Sequence, residues 1–373
     1  MKTPVIILCL VSFTFIASAQ DVNEYTETDR IALNIPSSKS NSTADIAAYI
    51  NNHFDTDNKK VRAIYVWVIS HIRYSTDSIH RVILNEDREQ LVTFAFRRKR
   101  GICENFAAIF DDLCRKCGLR SFVVEGYTKQ NGSVDKSPHA WCIVFLDNKW
   151  SLYDPTWDAG QASSLNQPLN TIYFKISPPV FIQTHIPFDP IFQLLDYPLT
   201  SNEFNNDNIK SKRNTDYFNY ADSINVYEKA DPLPRYISAS LRIEKNGSPN
   251  KMTSIKLSQL RFEIELIYQV KDSVLYNDAI ADYNNATKMF NDFLIYRNNQ
   301  FKPAKSDAEV QSIFDDIDKR IALARMKLKE VNQSKATLTL DTGDVEYALN
   351  NLSTHEKEQE IFLKNYKETA KDK

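Results

Sequence analysis

Three residues of complementary chemistry stand close together in this sequence. Cys103, in Gly101-Ile102-Cys103, directly precedes a stretch in which Phe106, Ala107, Phe110, Leu113 and Cys114 recur at helical spacing. The pattern predicts a helix that starts near Cys103 and stops at Cys117-Gly118, where glycine suits a left-handed cap. A sulfur at a helix start meets unpaired backbone N–H groups, which favour a thiolate and can receive the oxyanion of a tetrahedral intermediate. His139 opens the apolar run 140–146, and Asp154 closes the next run, 149–153. A histidine as base and an aspartate to fix its tautomer complete a Cys-His-Asp set suited to covalent acyl transfer. Taken singly, each residue has a plainer reading: a packing thiol, a satisfied core histidine and a turn aspartate.

The elements that must bring these residues together are legible in outline. Asp147-Asn148 joins the two apolar runs as a tight turn, so they read as an antiparallel hairpin with residue 140 opposite about 155. His139 and Asp154 then face each other to within one residue of register, and cross-strand neighbours lie about 5 Å apart at Cβ. A further strand covers 121–127. Upstream, Ser42-Thr43-Ala44-Asp45 caps a helix that buries Ile46, Ile50 and Phe54. A second helix, from Asn58 to about Tyr74, carries Val61, Ile64, Trp67, Val68 and Ile72 on its inner face. Helices followed by strands predict an α+β domain rather than a parallel α/β sheet.

Residues 160–200, rich in proline and aromatics, read as irregular packed loop, and the polar, Asn-rich 201–213 as a linker. Beyond it, apolar residues such as Leu260, Ile264, Phe290, Phe293, Ile313, Ile317 and Leu328 keep helical spacing, so 214–373 reads as a helical hairpin or bundle. Its plain role is packing; a protein-partner surface is the alternative.

Residues 1–19 have the charged start, apolar middle and Ala17-Ser18-Ala19 exit of a secretory signal, with a cut expected after Ala19 and a periplasmic or secreted product. Cleavage leaves 373 − 19 = 354 residues, enough for two or three structural units. It removes one lysine, so 45 basic against 48 acidic residues give a charge of −3, which offers no electrostatic case for nucleic acid. No later stretch is apolar enough to span a bilayer. Cys103, Cys114, Cys117 and Cys142 remain, all in one segment, which fits a local role better than a disulfide framework. Cys114 and Cys117 lack the second pair that a zinc site needs, and His53, His71, His80 and His185 show no ligand spacing, so neither metal nor cofactor is expected.

At these residues the chain resembles the transglutaminase-like superfamily, whose bacterial members show a box like Gly-Val-Cys-x-Gly-Tyr-Ala, then His-Ala-Trp, then Asp-x-Thr. Here these stand as Gly101-Ile102-Cys103-Glu104-Asn105-Phe106-Ala107, His139-Ala140-Trp141 and Asp154-Pro155-Thr156, in the family's order and with separations of 139 − 103 = 36 and 154 − 139 = 15 residues. The resemblance covers roughly 58–160. The stretch from His185 to Leu195 looks like an extension seen in exported Bacteroidetes-type members. The resemblance implies a papain-like fold within residues 20–200, with Cys103, His139 and Asp154 as catalytic residues. Asn105, in place of a common glycine, and Cys142, where asparagine often follows His-Ala-Trp, are departures that bear on pocket shape.

The expected function is therefore that of an exported thiol enzyme, a cysteine peptidase or amidase or a protein-glutamine acyltransferase. It would act on amide bonds of a protein or peptide through a Cys103 thioester, with hydrolysis favoured over cross-linking. The alternative is a non-catalytic peptide- or envelope-binding module that keeps the fold. Trp67, Tyr74, Trp141 and Trp157 are candidate cleft residues, with core packing as their plainer role. The basic run Arg97 to Arg100 is a solvated turn, or a group that acts on the Cys103 thiol or attracts an acidic substrate. His185 is a remote alternative base that lacks the strand context of His139.

Overall fold

The computed structural model describes residues 24–76, 88–159, 169, 171–207 and 217–371. The expected signal segment, His80, and parts of the 160–200 and 201–213 segments lie outside them. The chain divides into two compact units: residues 1–230 with 241–256, and residues 231–240 with 257–373.

In the first unit, a side-chain cap starts each of the two expected helices. The Ser42 side chain accepts the Asp45 N–H at 3.1 Å to start Thr43–His53, and Thr56 accepts from Lys59 at 3.4 Å to start Asp57–His71. The second of these buries every residue from Val61 to Ile69, so it is a central helix rather than a surface one. Its end runs into strand β1 (Arg73–Tyr74), which pairs in parallel with β2 (Arg100–Gly101), the strand that delivers the chain to Cys103.

Four antiparallel strands form the main sheet: β3 (Ser121–Gln130), β4 (Ser133–Leu146), β5 (Lys149–Tyr153) and β6 (His185–Pro187), in the order β5-β4-β3-β6. The β4–β5 register, from Leu146 opposite Lys149 to Cys142 opposite Tyr153, is the one predicted from the turn. Asp147 and Asn148 both take positive φ, 50° and 60°, as a two-residue hairpin turn requires. Along β4, Ala140, Cys142, Val144 and Leu146 pack with the helices, whereas Trp141 and Ile143 join a second cluster with Trp150, Leu152, Phe181 and Ile191. The period of two thus separates two buried faces. The helix Cys103–Lys116 supplies the first face, with Phe106, Ala107, Phe110, Leu113 and Cys114 all inaccessible.

The second face corrects the expectation of irregular chain over 160–200. A short helix (Pro178–Phe181), strand β6 and a 3-10 turn (Pro190–Gln193) lie there. Strand β6 is three residues long and ends in proline, too short to show an alternating pattern and suited to a sheet edge. Gly126 on β3 makes the pairing feasible, because a Cβ there would run into the Ile186 carbonyl and the Trp141 ring.

The expected linker begins instead with the helix Ser201–Asn205, where Thr200 and Glu203 cap each other and Phe204 is buried. The unit extends past residue 200: Ile224 joins the second cluster, Glu228 pairs with Arg120, and Arg242 makes a two-bond pair with Asp189 at 2.6 and 2.8 Å.

The second unit is helical, as the spacing predicts. It comprises most of Lys251–Asn298, together with Asp307–Asn332 and Gly343–Lys371. Ala279, Ala286 and Phe290 pack against Ile317, Ile321, Leu328, Leu349 and Leu352, and Phe293 lies 4.7 Å from Phe314 between ring centroids. No helix among the described residues is long and apolar enough to cross a membrane.

Candidate active site

Cys103 is the first residue of its helix, and its N–H is among those that helix geometry leaves without an intrahelical acceptor. The entry is fixed by Asn105, whose Oδ1 accepts the Ile102 N–H at 3.0 Å. A side chain at position 101 would collide with Asn105, so Gly101 and Asn105 act as a pair. The residue that departs from the family box thus anchors the start of the helix. Cys142, the other departure, donates to the Ala107 carbonyl at 3.3 Å and ties β4 to the same helix.

Across from Cys103, β4 presents His139 and the end of β5 presents Asp154. His139 Nε2 lies 2.7 Å from Asp154 Oδ2, both groups being buried. An ionised carboxylate can only accept, so Nε2 carries the hydrogen and Nδ1 is the nitrogen left as an acceptor. The other Asp154 oxygen accepts the backbone N–H groups of Thr156 at 2.8 Å and Trp157 at 3.2 Å, supplied by the turn Pro155–Ala159. Tyr65, from the central helix, donates to the Asp154 carbonyl at 2.9 Å and lies 2.5 Å from Asp158 Oδ2.

His185 also belongs to this network, which corrects the reading that it lacks strand context. It opens β6, beside β3, and its Nε2 lies 3.1 Å from the same Asp154 Oδ2 that receives His139. The donor atoms of His139, Asp154 and His185 lie within 4.8 Å of one another, which invites comparison with a metal site. Both short contacts run from an imidazole nitrogen to one carboxylate oxygen, so the polar atoms satisfy each other as a hydrogen-bond network.

The electrostatics follow from burial and neighbours. Burial alone would raise the Asp154 carboxyl, but the attraction and hydrogen bond of His139, followed by those of His185, outweigh it and hold Asp154 well below the usual range. Burial pushes His185 down to about 4, against the pull of Asp154. At Cys103 the expected stabilisation of a thiolate is reversed: burial raises the thiol well above its ordinary value, and the charge and hydrogen bond of Glu104 add to the rise. The thiol donates to Glu104 Oε2 at 3.0 Å, a contact available because Glu104 follows it at the open end of the helix. The backbone of Ala140, next to His139, acts in the opposite sense on the sulfur.

The four aromatic candidates divide. Trp67 is buried, stacked 4.8 Å from His71 and 5.7 Å from Phe96, and lines no cleft. Trp141 is also buried, 5.4 Å from the His185 ring and beneath the network rather than open to substrate. Tyr74 is 54% exposed, with burial and then the nearby Cys103 and Glu104 raising its phenol. Trp157 is partly exposed, 6.0 Å from His139 and 4.3 Å from His185. In the basic run, Lys99 lies 3.6 Å from the Phe96 ring centroid, and burial lowers its amine to about 8. Cys103, Cys114, Cys117 and Cys142 are all free and buried. Sequence reasoning missed the parts of His185 and Glu104; in the sequence, only the extension motif marks the first and only adjacency to Cys103 marks the second.

A helix-borne cysteine packed against an antiparallel sheet that carries a His-Asp pair defines a papain-like thiol site. Residues 44–155 match the family model described as the transglutaminase-like superfamily, and the chain carries a domain of that superfamily. The chain is 32% identical over 162 residues to the human protein named kyphoscoliosis peptidase, covering 40% of this chain and 24% of that one. It is 24% identical over 209 residues to Hillarin of Drosophila melanogaster, covering 50% and 25%. It thus spans about a quarter of these relatives' length. Among solved structures, the periplasmic domain of TgpA from Pseudomonas aeruginosa aligns at 19% identity over 36% of this chain and 49% of that one, with a TM-score of 0.27.

Proposed function

We propose that this chain is an exported thiol enzyme that cleaves amide bonds of a protein or peptide through a thioester on Cys103. The observation that carries the reading is the 2.7 Å contact between His139 Nε2 and Asp154 Oδ2, which leaves Nδ1 as the base. Because the thiol is held protonated, His139 takes its proton as the sulfur attacks the carbonyl carbon. The S–C bond forms, the C–N bond breaks, and His139 returns the proton to the departing amine. Water then adds to the thioester with His139 again as base, releasing a carboxylate and restoring the thiol. An amine in place of water would give an isopeptide cross-link. Similarity to a protein named as a peptidase favours water.

A second reading, a peptide-binding module without turnover, draws on the thiol's bond to Glu104 rather than to its base. One experiment separates the readings. Peptide libraries are exposed to native protein and to Cys103→Ala, and mass spectrometry reads new termini against new isopeptide bonds. New termini from native protein alone are expected; isopeptide bonds alone would replace hydrolysis by transfer, and identical digests would leave only the binding module.

A further inference from the structure

His185 is the buried polar group that a Cys-His-Asp scheme leaves unused, and it lies outside the matched residues 44–155. Its ring is stacked 4.0 Å from Phe181 at 19° and stands edge-on to Trp141 at 84°. Nδ1 lies 2.8 Å from the Thr184 hydroxyl oxygen, and Nε2 lies 3.1 Å from Asp154 Oδ2. With the carboxylate ionised, Nε2 must donate, and Nδ1 then accepts from Thr184. Asp154 therefore fixes the tautomer, and Thr184 supplies the donor that suits it.

Resting on the acyl-transfer reading above, we propose that His185 is a positioning residue of the same site. Its Nε2–H holds Asp154 Oδ2 where that oxygen meets His139 and takes a share of the oxygen's charge. Asp154 is thereby saturated by Thr156 and Trp157 on one oxygen and by two imidazoles on the other. Without the second imidazole, more of the oxygen's charge falls to His139, which favours the imidazolium and leaves fewer neutral rings to take the thiol proton. The titratable groups around this pair are Cys103 and Glu104 on the nucleophile helix, Tyr65 on the central helix, Asp158 after β5, Tyr173 beside β5, and Asp135 on β4. Burial keeps His185 itself neutral at pH 7, so it acts as a donor and not as a cation.

The test is the rate at which iodoacetamide alkylates Cys103, followed from pH 4 to 9 by peptide mapping, with melting curves as a check on folding. His185→Phe should move the acid limb up by about one pH unit and slow labelling at pH 6 about tenfold. His185→Gln, whose amide can donate to Asp154 and accept from Thr184, should keep the native limb. Thr184→Val, which leaves Nδ1 without that partner and loosens the ring, should move the limb in the same direction by less, and it serves if His185→Phe does not fold. A folded His185→Phe with the native limb overturns the proposal. Failure of native protein to be alkylated at Cys103 would instead overturn the acyl-transfer reading on which it rests.

Discussion

Asp154 and Asp282 are buried carboxylates, one in each unit, and their partners differ in kind. Asp282, on the long helix Lys251–Asn298, accepts from Arg320 and Lys327 at 2.7 Å each, two full positive charges on flexible stems. Asp154 accepts from two backbone N–H groups and two imidazoles, none of which must be charged. The first arrangement neutralises its carboxylate whatever the rest of the molecule does, and it ties two helices together. The second surrounds its carboxylate with hydrogen-bond donors and with rings that can take up a proton, so the charge stays available to an imidazolium that forms beside it. Burial of an acid therefore says little by itself about function; the charge state of its partners separates a structural tie from a reactive site.

The sharpest way to break this comparison is Asp154→Asn. The amide keeps the shape but presents an N–H or a neutral oxygen to His139, so turnover should fall about 10⁴-fold in a chain that still folds, with a lower melting temperature at neutral pH. A variant that keeps native rates would reduce Asp154 to a tie of the Asp282 kind.

A smaller effect is expected from Phe314→Ala in the helical unit. Phe314 is 1% exposed and packs on Phe293, so truncation should cost about 3–5 kcal/mol in denaturant unfolding. The alkylation rate of Cys103 should be unchanged. A loss much below 1 kcal/mol would mean that ion pairs such as Asp282 hold those helices rather than the apolar seam.

The smallest effect concerns Asp158, bonded to Tyr65 beside the site. Burial raises its carboxyl from 3.8 to about 6, against the Tyr65 hydrogen bond. Between those values the folded chain binds more protons than the unfolded one, so this group's contribution to stability falls as pH rises from about 4 to about 6. Asp158→Asn removes that slope, and its melting temperature should gain on the native protein by about 2–4 °C between pH 4 and pH 7. A constant gap across that range would show that Asp158 ionises as a surface acid does.

The sequence was readable where a pattern was long or a turn specific. The Asp147-Asn148 turn fixed the hairpin register, which makes Asp154 a diagonal neighbour of His139 on the same face, within reach of its ring. The helix face beginning at Phe106 was readable because five apolar residues keep one spacing. Strand β6 was not, because three residues ending in proline carry no period, and its place depends on Gly126 in a strand some sixty residues earlier. His185 was hidden with it. Trp67 and Trp141 show the converse: an aromatic near a catalytic motif in sequence packs beneath it as readily as beside it, and only the layer of the fold decides which. Glu104 could be read as a neighbour of the nucleophile, but not that its carboxylate would take the thiol proton's hydrogen bond.

The sharing of Asp154 Oδ2 by two rings sets the proton capacity of the site. Burial keeps His185 neutral, so a proton taken up by the cluster goes to His139 and is met by the Asp154 charge, while a second would leave the cluster a buried net cation. The cluster is thus a reservoir one proton deep, which is what a thiol gives up when it attacks a carbonyl and what a departing amine takes away.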